Sequence, residues 1–258
     1  MSMRLFGKRG DEPDPPALPE DLVVVVDRAI NPYLVSFHDP TGFRAEQVRG
    51  LRNKLMAMNP EGLARTLVVS SAMRGEGKSV TSINLAIAFA EQERNPVLLV
   101  DADLRSPSVQ KYLNLNVRRG LADVLLGRVA LDDAVQSSGV RNLFVLGAGR
   151  ALSRPSEILT PQRLEALFDA FKERYQYTII DTPPVLPATD ASVIAARADG
   201  TLLVVRMEHS AKSQTKQALR QLQDLGANVL GSFATQVRGV DPDRMGYAYP
   251  GEGEGDGA

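Results

Sequence analysis

The chain has 258 residues, 43% hydrophobic and 24% charged, enough length and apolar content for one large α/β domain. Lys and Arg number 30 against 31 Asp and Glu, so the net charge of −1 gives no bulk attraction to nucleic acid. There is no cysteine, and His38 and His209 lie far apart, which excludes disulfides, thiolate catalysis and Cys-based metal sites and argues against a zinc site or a Ser/His/Asp triad.

Residues 1–42 read as an N-terminal arm and linker. The start is basic (Arg4, Lys8, Arg9), but no apolar h-region follows, so it does not read as a secretory signal. No apolar run approaches the ~18 residues of a membrane helix. Asp11-Glu12-Pro13-Asp14-Pro15-Pro16 mixes charge and proline and cannot pack a core. Leu22 to Val26 reads as a short strand or a docking segment, and Asp39-Pro40-Thr41-Gly42 punctuates the connection onward.

Phe43 to Met58 has helical periodicity, with Val48, Leu51, Leu55 and Met58 expected to face inward. Glu46, Arg49 and Arg52 then share another face, either a solvated charged stripe or a contact face for a neighbouring subunit, where arginine forks pair carboxylates well.

Leu67-Val68-Val69 predicts a strand and Val80 to Gln92 a helix with Val80, Ile83, Ile87 and Ala90 buried. Between them lies Ser70-Ser71-Ala72-Met73-Arg74-Gly75-Glu76-Gly77-Lys78-Ser79. A strand, a glycine-bearing loop ending in Gly-Lys-Ser, and a helix make a P-loop, although Ala72 stands where the first glycine of the usual pattern falls. Gly75 and Gly77 let the backbone come close to a phosphate, and the helix N-terminus adds its dipole. Lys78 can reach the β- and γ-phosphates, and the Ser79 hydroxyl can ligate Mg²⁺. A dinucleotide fingerprint is excluded, since its third glycine is absent.

The run Val97-Leu98-Leu99-Val100 suits a parallel strand buried on both faces, and it ends in Asp101-Ala102-Asp103-Leu104-Arg105. Reactive groups in such sheets lie at the carboxyl ends of strands, which is where Asp101 and Asp103 fall. Gly120 to Gly127 predicts a short helix closed by glycine, Leu143 to Leu146 a strand, Gly147-Ala148-Gly149 a turn, and 161–174 a helix. Tyr177 to Ile180 predicts another strand, ending in Asp181-Thr182-Pro183-Pro184, where the prolines forbid continuation. An aspartate at that place usually holds Mg²⁺. Asp190 falls in a polar turn, Leu202 to Arg206 in a strand, and Lys212 to Leu225 in a helix with Ala218, Leu219, Leu222 and Leu225 inward. Val229-Leu230 begins a last strand. Strands alternating with helices imply a mostly parallel, doubly wound sheet in three layers. From 238 to 258 the chain is a Gly-rich acidic tail carrying Tyr247 and Tyr249.

Ala72-x4-Gly77-Lys78-Ser79, Val100-Asp101-Ala102-Asp103-Leu104-Arg105 and Ile180-Asp181-Thr182-Pro183-Pro184 together resemble the Walker A, A′ and B motifs of the bacterial tyrosine kinases, a deviant P-loop ATPase class that accompanies capsule and exopolysaccharide synthesis. The resemblance spans roughly residues 43–237 as a kinase domain and includes Glu46-x2-Arg49-x2-Arg52, similar to the family's oligomerisation motif, and Pro155-Ser156-Glu157-Ile158-Leu159. It implies ATP bound by Gly75, Glu76, Gly77, Lys78, Ser79, Val80 and Arg105, and Mg²⁺ held by Ser79, Asp101 and Asp181. Lys78 would stabilise the transferring phosphoryl group, and Asp103 would orient or deprotonate a tyrosine hydroxyl. Tyr247 and Tyr249 become candidate phosphoacceptors in a neighbouring subunit's site, and Glu46, Arg49 and Arg52 the ring contacts. The resemblance further implies a membrane activator of the chain-length-determinant type, a cognate phosphatase, and a cytoplasmic location at the inner face of the membrane.

The chain departs from the family in its sparse tail tyrosines and in Ala234-Thr235-Gln236, which stands where related ATPases often carry an asparagine near adenine. A partition-type ATPase that switches assembly without phosphorylating protein is the competing reading. Met73 argues against it, because those ATPases carry an extra lysine near that place. A non-catalytic nucleotide-binding scaffold is a third reading, disfavoured by the presence of Lys78, Asp101, Asp103 and Asp181 together.

Overall fold

Valine, leucine and isoleucine runs become buried strands in the computed structural model, which describes residues 30–92 and 96–237. The strands are β1 (Arg65–Ser71), β2 (Val97–Asp101), β3 (Gln136–Ser137), β4 (Leu143–Leu146), β5 (Tyr177–Asp181), β6 (Gly200–Arg206) and β7 (Val229–Thr235). They form one sheet in the order β3-β4-β2-β5-β1-β6-β7. Every pairing is parallel except that of β3 with β4. The two-residue β3 is an addition to the expected strands; it is too short for any period-two pattern to announce it.

The helices are α1 (Val35–His38), α2 (Phe43–Ala57), α3 (Lys78–Ala90), α4 (Val109–Tyr112), α5 (Leu121–Leu125), α6 (Leu131–Ala134), α7 (Pro161–Arg174), α8 (Asp190–Ala195) and α9 (Lys212–Asp224). Side chains alternate across each strand, so the sheet feeds two cores. Val68, Leu98, Val100, Ile180 and Leu203 pack with α5, α7, α8 and α9. Leu67, Val69, Val97, Leu99, Ile179 and Val204 pack with α1, α2 and α3. This is the expected three-layer, doubly wound arrangement. Among the described residues, no helix is long and apolar enough to cross a membrane.

Two features differ from the sequence-based expectation. Residues 30–42, assigned above to the arm, include core: Leu34 is fully buried, and Ser36 N–H donates to Asn84 Oδ1 on α3 at 2.8 Å. The inward stripe of α2 is Ala45, Val48, Arg52 and Leu55, while Met58 is 59% exposed. Leu225, also expected inward, is 49% exposed. Met58 and Leu225 are the residues just past α2 and α9, where helical spacing no longer fixes the face. The arm at 1–29 and the tail at 238–258 lie outside the described residues.

Candidate active site

The register of the sheet builds the site. Asp101 and Asp181 are direct partners at the carboxyl ends of β2 and β5, and β5 pairs in turn with β1, which leads into the P-loop. The strand order reverses at β1, so a crevice opens there. Gly75 and Gly77 have φ of 82° and 93°, so the loop uses the left-handed conformation that side chains disfavour. Gly77 is the N-cap of α3 and leaves the first helical amides without a side-chain cap.

Lys78 leans back across this opening. Its Nζ lies 3.3 Å from Asp103 Oδ2, 3.7 Å from Asp181 Oδ1 and 3.2 Å from Ser79 Oγ. Burial works against the ammonium, but Asp181 and Asp103 outweigh it and hold Lys78 above its ordinary pKa. The loop after β2 orients the remaining carboxylates. Asp101 Oδ2 accepts from the amides of Ser108 and Val109 at 2.9 and 3.0 Å, and Oδ1 from that of Asp103 at 3.2 Å. Asp103 Oδ1 accepts from Ser106 N–H at 3.0 Å. Ser79 Oγ is also 2.9 Å from Ser108 Oγ.

Asp101 and Asp181 are both fully buried. Burial, then the charge of Asp181, pushes Asp101 up to about 7. Burial also raises Asp181, although Lys78, Ser79 and Ser82 oppose it. Asp181 Oδ1 accepts from Ser82 Oγ at 3.3 Å, whereas Oδ2 is buried with no hydrogen-bond partner. Two adjacent buried carboxylates and an orphaned oxygen, beside a serine hydroxyl, fit a hard divalent cation such as Mg²⁺. The uncapped amides of α3 and Lys78 fit an anionic polyphosphate.

Other predicted residues fall in different roles. Glu76, expected to contact nucleotide, is 1% exposed and turned into the protein. Its Oε2 accepts from Met73 N–H at 2.9 Å, and its Oε1 from Ser210 Oγ. Thr235 Oγ1 donates to the Glu76 carbonyl at 2.9 Å, and Arg206 Nη1 to the Gly75 carbonyl at 3.3 Å. The ends of β6 and β7 thereby brace the loop from behind. Sequence reasoning missed this brace, although an acidic residue inside a phosphate loop is itself a sign that its side chain points away.

Arg105 pairs with Asp190, Nε to Oδ2 at 2.6 Å. Asp190 is not in a polar turn: it is the first residue of α8 and 2% exposed. Val80, on the first turn of α3, is half-buried. Glu46, Arg49 and Arg52 lie together on α2; Glu46 is exposed, whereas Arg49 and Arg52 reach onto their own chain. Arg49 pairs with Glu46 at 3.2 Å and Glu91 at 2.9 Å. Arg52 is 7% exposed and reaches Glu91 at 3.0 Å and the Ala88 carbonyl at 2.8 Å. The sequence expectation of a separate charged face is thus corrected for Arg52, which belongs to the buried stripe. Tyr247 and Tyr249 fall outside the described residues.

The AAA domain family matches residues 64–232. Tyrosine-protein kinase YwqD of Bacillus subtilis is 34% identical over 214 residues, covering 83% of this chain and 90% of that protein. The kinase domain of Escherichia coli tyrosine kinase ETK superposes with a TM-score of 0.74 at 28% identity, covering 78% of this chain and 79% of that one. The septum site-determining protein MinD of Pyrococcus horikoshii, solved with Mg-ADP, gives 0.58 at 27% identity and covers 66% of this chain and 69% of that one. With the Asp-x-Asp-x-Arg run beside Lys78 and Asp181, these likenesses establish that the chain belongs to the bacterial tyrosine kinases of the AAA-domain, P-loop class.

Proposed function

We propose that this chain is an ATP-dependent protein-tyrosine autokinase that regulates capsular and exopolysaccharide synthesis and export. The observation that carries this reading is Lys78 Nζ lying between Asp103 and Asp181, at 3.3 and 3.7 Å, at the start of α3. A lysine so placed meets the charge that develops on a transferring γ-phosphoryl group. Ser79, Asp101 and Asp181 would hold Mg²⁺, which would neutralise phosphate charge when bound. Gly75, Gly77, Lys78, Ser79 and Val80 would wrap the phosphates, with Glu76 holding the loop in shape. Arg105 would act near the site from its anchorage on Asp190.

Asp103 accepts the proton of an incoming tyrosine hydroxyl. The tyrosine oxygen bonds to the γ-phosphorus, the bond from that phosphorus to the bridging oxygen breaks, and ADP leaves. Tyr247 and Tyr249 are the proposed acceptors, presented in trans by a neighbouring subunit in a ring. Each phosphate adds roughly −1.5 to −2 charges to an already acidic tail and favours release. Glu46 and Arg49 would join the subunits, with Arg52 fastening α2 onto its own chain behind them. A membrane chain-length-determinant protein would activate the kinase at the inner face of the cell membrane, and a cognate phosphatase would reset it.

Lys78→Met tests the site directly. Wild-type protein with Mg·ATP and the activator's cytoplasmic segment gains phosphate by intact-mass spectrometry, and Lys78→Met gains none. Phosphate on the variant would overturn the assignment. ATP consumed by the wild type with no added phosphate would support the partition-type ATPase reading instead, for which the likeness to MinD is weaker than that to the kinase domains.

A further inference from the structure

The carboxyl end of β4 carries positive charge that the phosphoryl-transfer machinery does not use. Arg118 and Arg119 precede α5, and Arg150 and Arg154 follow β4; all four are exposed. Backbone hydrogen bonds fasten these loops to each other and to the catalytic loop. Leu121 N–H donates to the Gly147 carbonyl at 2.8 Å and Ala122 N–H to the Ala148 carbonyl at 3.2 Å. Leu152 N–H donates to the Leu104 carbonyl at 2.8 Å, one residue from Asp103. The junction is tight: a Cβ on Gly120 would stand 2.2 Å from the Gly147 carbonyl oxygen. The loops that carry the arginines are therefore fastened to the loop that carries Asp103, the residue proposed to receive the tyrosine proton.

Among the described residues, Arg154 is partnered by Glu157 at 3.3 Å, both largely exposed, while Arg118, Arg119 and Arg150 have no carboxylate partner. Three exposed arginines without a described carboxylate partner, on loops joined to each other and to the catalytic loop, favour an anionic visitor. The chain supplies a matching segment. After Tyr249 come Pro250, Gly251, Glu252, Gly253, Glu254, Gly255, Asp256, Gly257 and Ala258, with three carboxylates and no basic side chain. The glycines give it little side-chain bulk, so it can lie along a loop surface. The first of these carboxylates is three residues beyond Tyr249, a reach of about 10 Å in extended chain.

We propose that Arg118, Arg119 and Arg150 form the docking surface for the acidic segment 252–256 of a second copy of this chain, so that its charge seats Tyr247 or Tyr249 at Asp103. This rests on the tail-kinase reading and names how that site selects its acceptor. Exposed charge pairs are individually weak and are screened by salt, so the docking is a summed, ionic-strength-dependent contribution rather than a tight lock.

The test separates docking from chemistry. A fluorescein-labelled peptide of residues 246–258, with Phe at 247 and 249, is titrated with full-length protein at low salt and followed by anisotropy. Arg118→Glu/Arg119→Glu/Arg150→Glu should weaken binding about tenfold, and so should 0.5 M NaCl with wild type. A peptide with Lys at 252, 254 and 256 should lose binding to wild type and regain it on the triple Glu variant. Equal binding by all pairs would overturn the proposal, as would a loss on the variant that the reversed peptide fails to restore. The same pairs are then assayed with tyrosine-bearing peptides, Mg·ATP and the activator's cytoplasmic segment. Charge-dependent binding without phosphate transfer would sink the kinase reading and leave the docking surface standing. With transfer, the triple variant raises the peptide KM while kcat and the KM for ATP hold.

Discussion

Two aspartates at opposite ends of the same sheet show what each end is for. Asp181, at the carboxyl end of β5, is fully buried, and burial raises its pKa. Among the described residues, its Oδ2 has no hydrogen-bond partner. Asp199, just before β6 at the amino end, is surrounded by donors. Thr66 N–H and Oγ1 both donate to Oδ2 at 2.8 Å, and Lys172 Nζ donates to Oδ1 at 2.9 Å. Burial again acts to raise the pKa, but Lys172 and Thr66 outweigh it and hold Asp199 below its ordinary 3.8. Asp199, at the amino end, is satisfied and serves stability. Asp181, at the carboxyl end, is left under-satisfied, as a carboxylate that binds a cation is expected to be.

The largest effect expected from this contrast is at Asp181. Asp181→Asn removes a buried charge that lacks full compensation, so kinase activity should fall by about 100-fold or more while the nucleotide-free protein melts no lower than wild type. Phosphate incorporation and thermal melting, on the same preparation, check both halves. A melting temperature that drops by several degrees would erase the distinction between the two ends.

Asp199→Asn should do the reverse. It loses charge-assisted hydrogen bonds worth about 1–2 kcal/mol at pH 7, with activity of the folded protein unchanged. Because the folded pKa lies below the unfolded one, the stabilisation is present above the ordinary carboxylate value. It is lost as pH falls through the depressed folded value. Denaturant midpoints of wild type and variant should therefore differ at pH 7, and the gap should narrow as the pH falls below 3.8. A gap that persists in acid would show that packing, and not ionisation, underlies the effect.

The sequence displays the catalytic end more fully than the supporting one, for physical reasons. Asp101, Asp103 and Asp181 stand at or just past the ends of short apolar runs, parallel pairing in register brings such ends together, and Lys78 begins the helix after the glycine-bearing loop that follows β1. The brace on the P-loop joins Glu76 to Ser210 and Thr235, residues far away in sequence with no motif of their own. The pairing of Arg105 with Asp190 depends on where α8 begins, which a polar stretch does not reveal. Helical spacing puts Arg52 on the wrong side of α2 when a charged residue is taken to face water. Its guanidinium instead satisfies Glu91 and the carbonyl of Ala88 near the end of α3, a place where helix carbonyls lack intrahelical donors.

That last placement sharpens the test of a ring. Arg52 is buried and bonded within its own chain, so Arg52→Ala should destabilise the protomer by about 1–2 kcal/mol, and any loss of assembly would confound folding with contact. Arg49 is more open, its side chain 21% exposed, and its ion pairs with Glu46 and Glu91 are of the kind worth about 0.2–1 kcal/mol. Arg49→Ala is therefore the informative change. If α2 joins neighbouring subunits through this stripe, the variant should run as a monomer by light scattering while its denaturation midpoint shifts little. A ring that persists would assign Glu46, Arg49 and Arg52 wholly to fastening α2 onto the helix that begins with Lys78. Their repeated spacing would then be explained by Glu91 on the same chain, with no neighbour required.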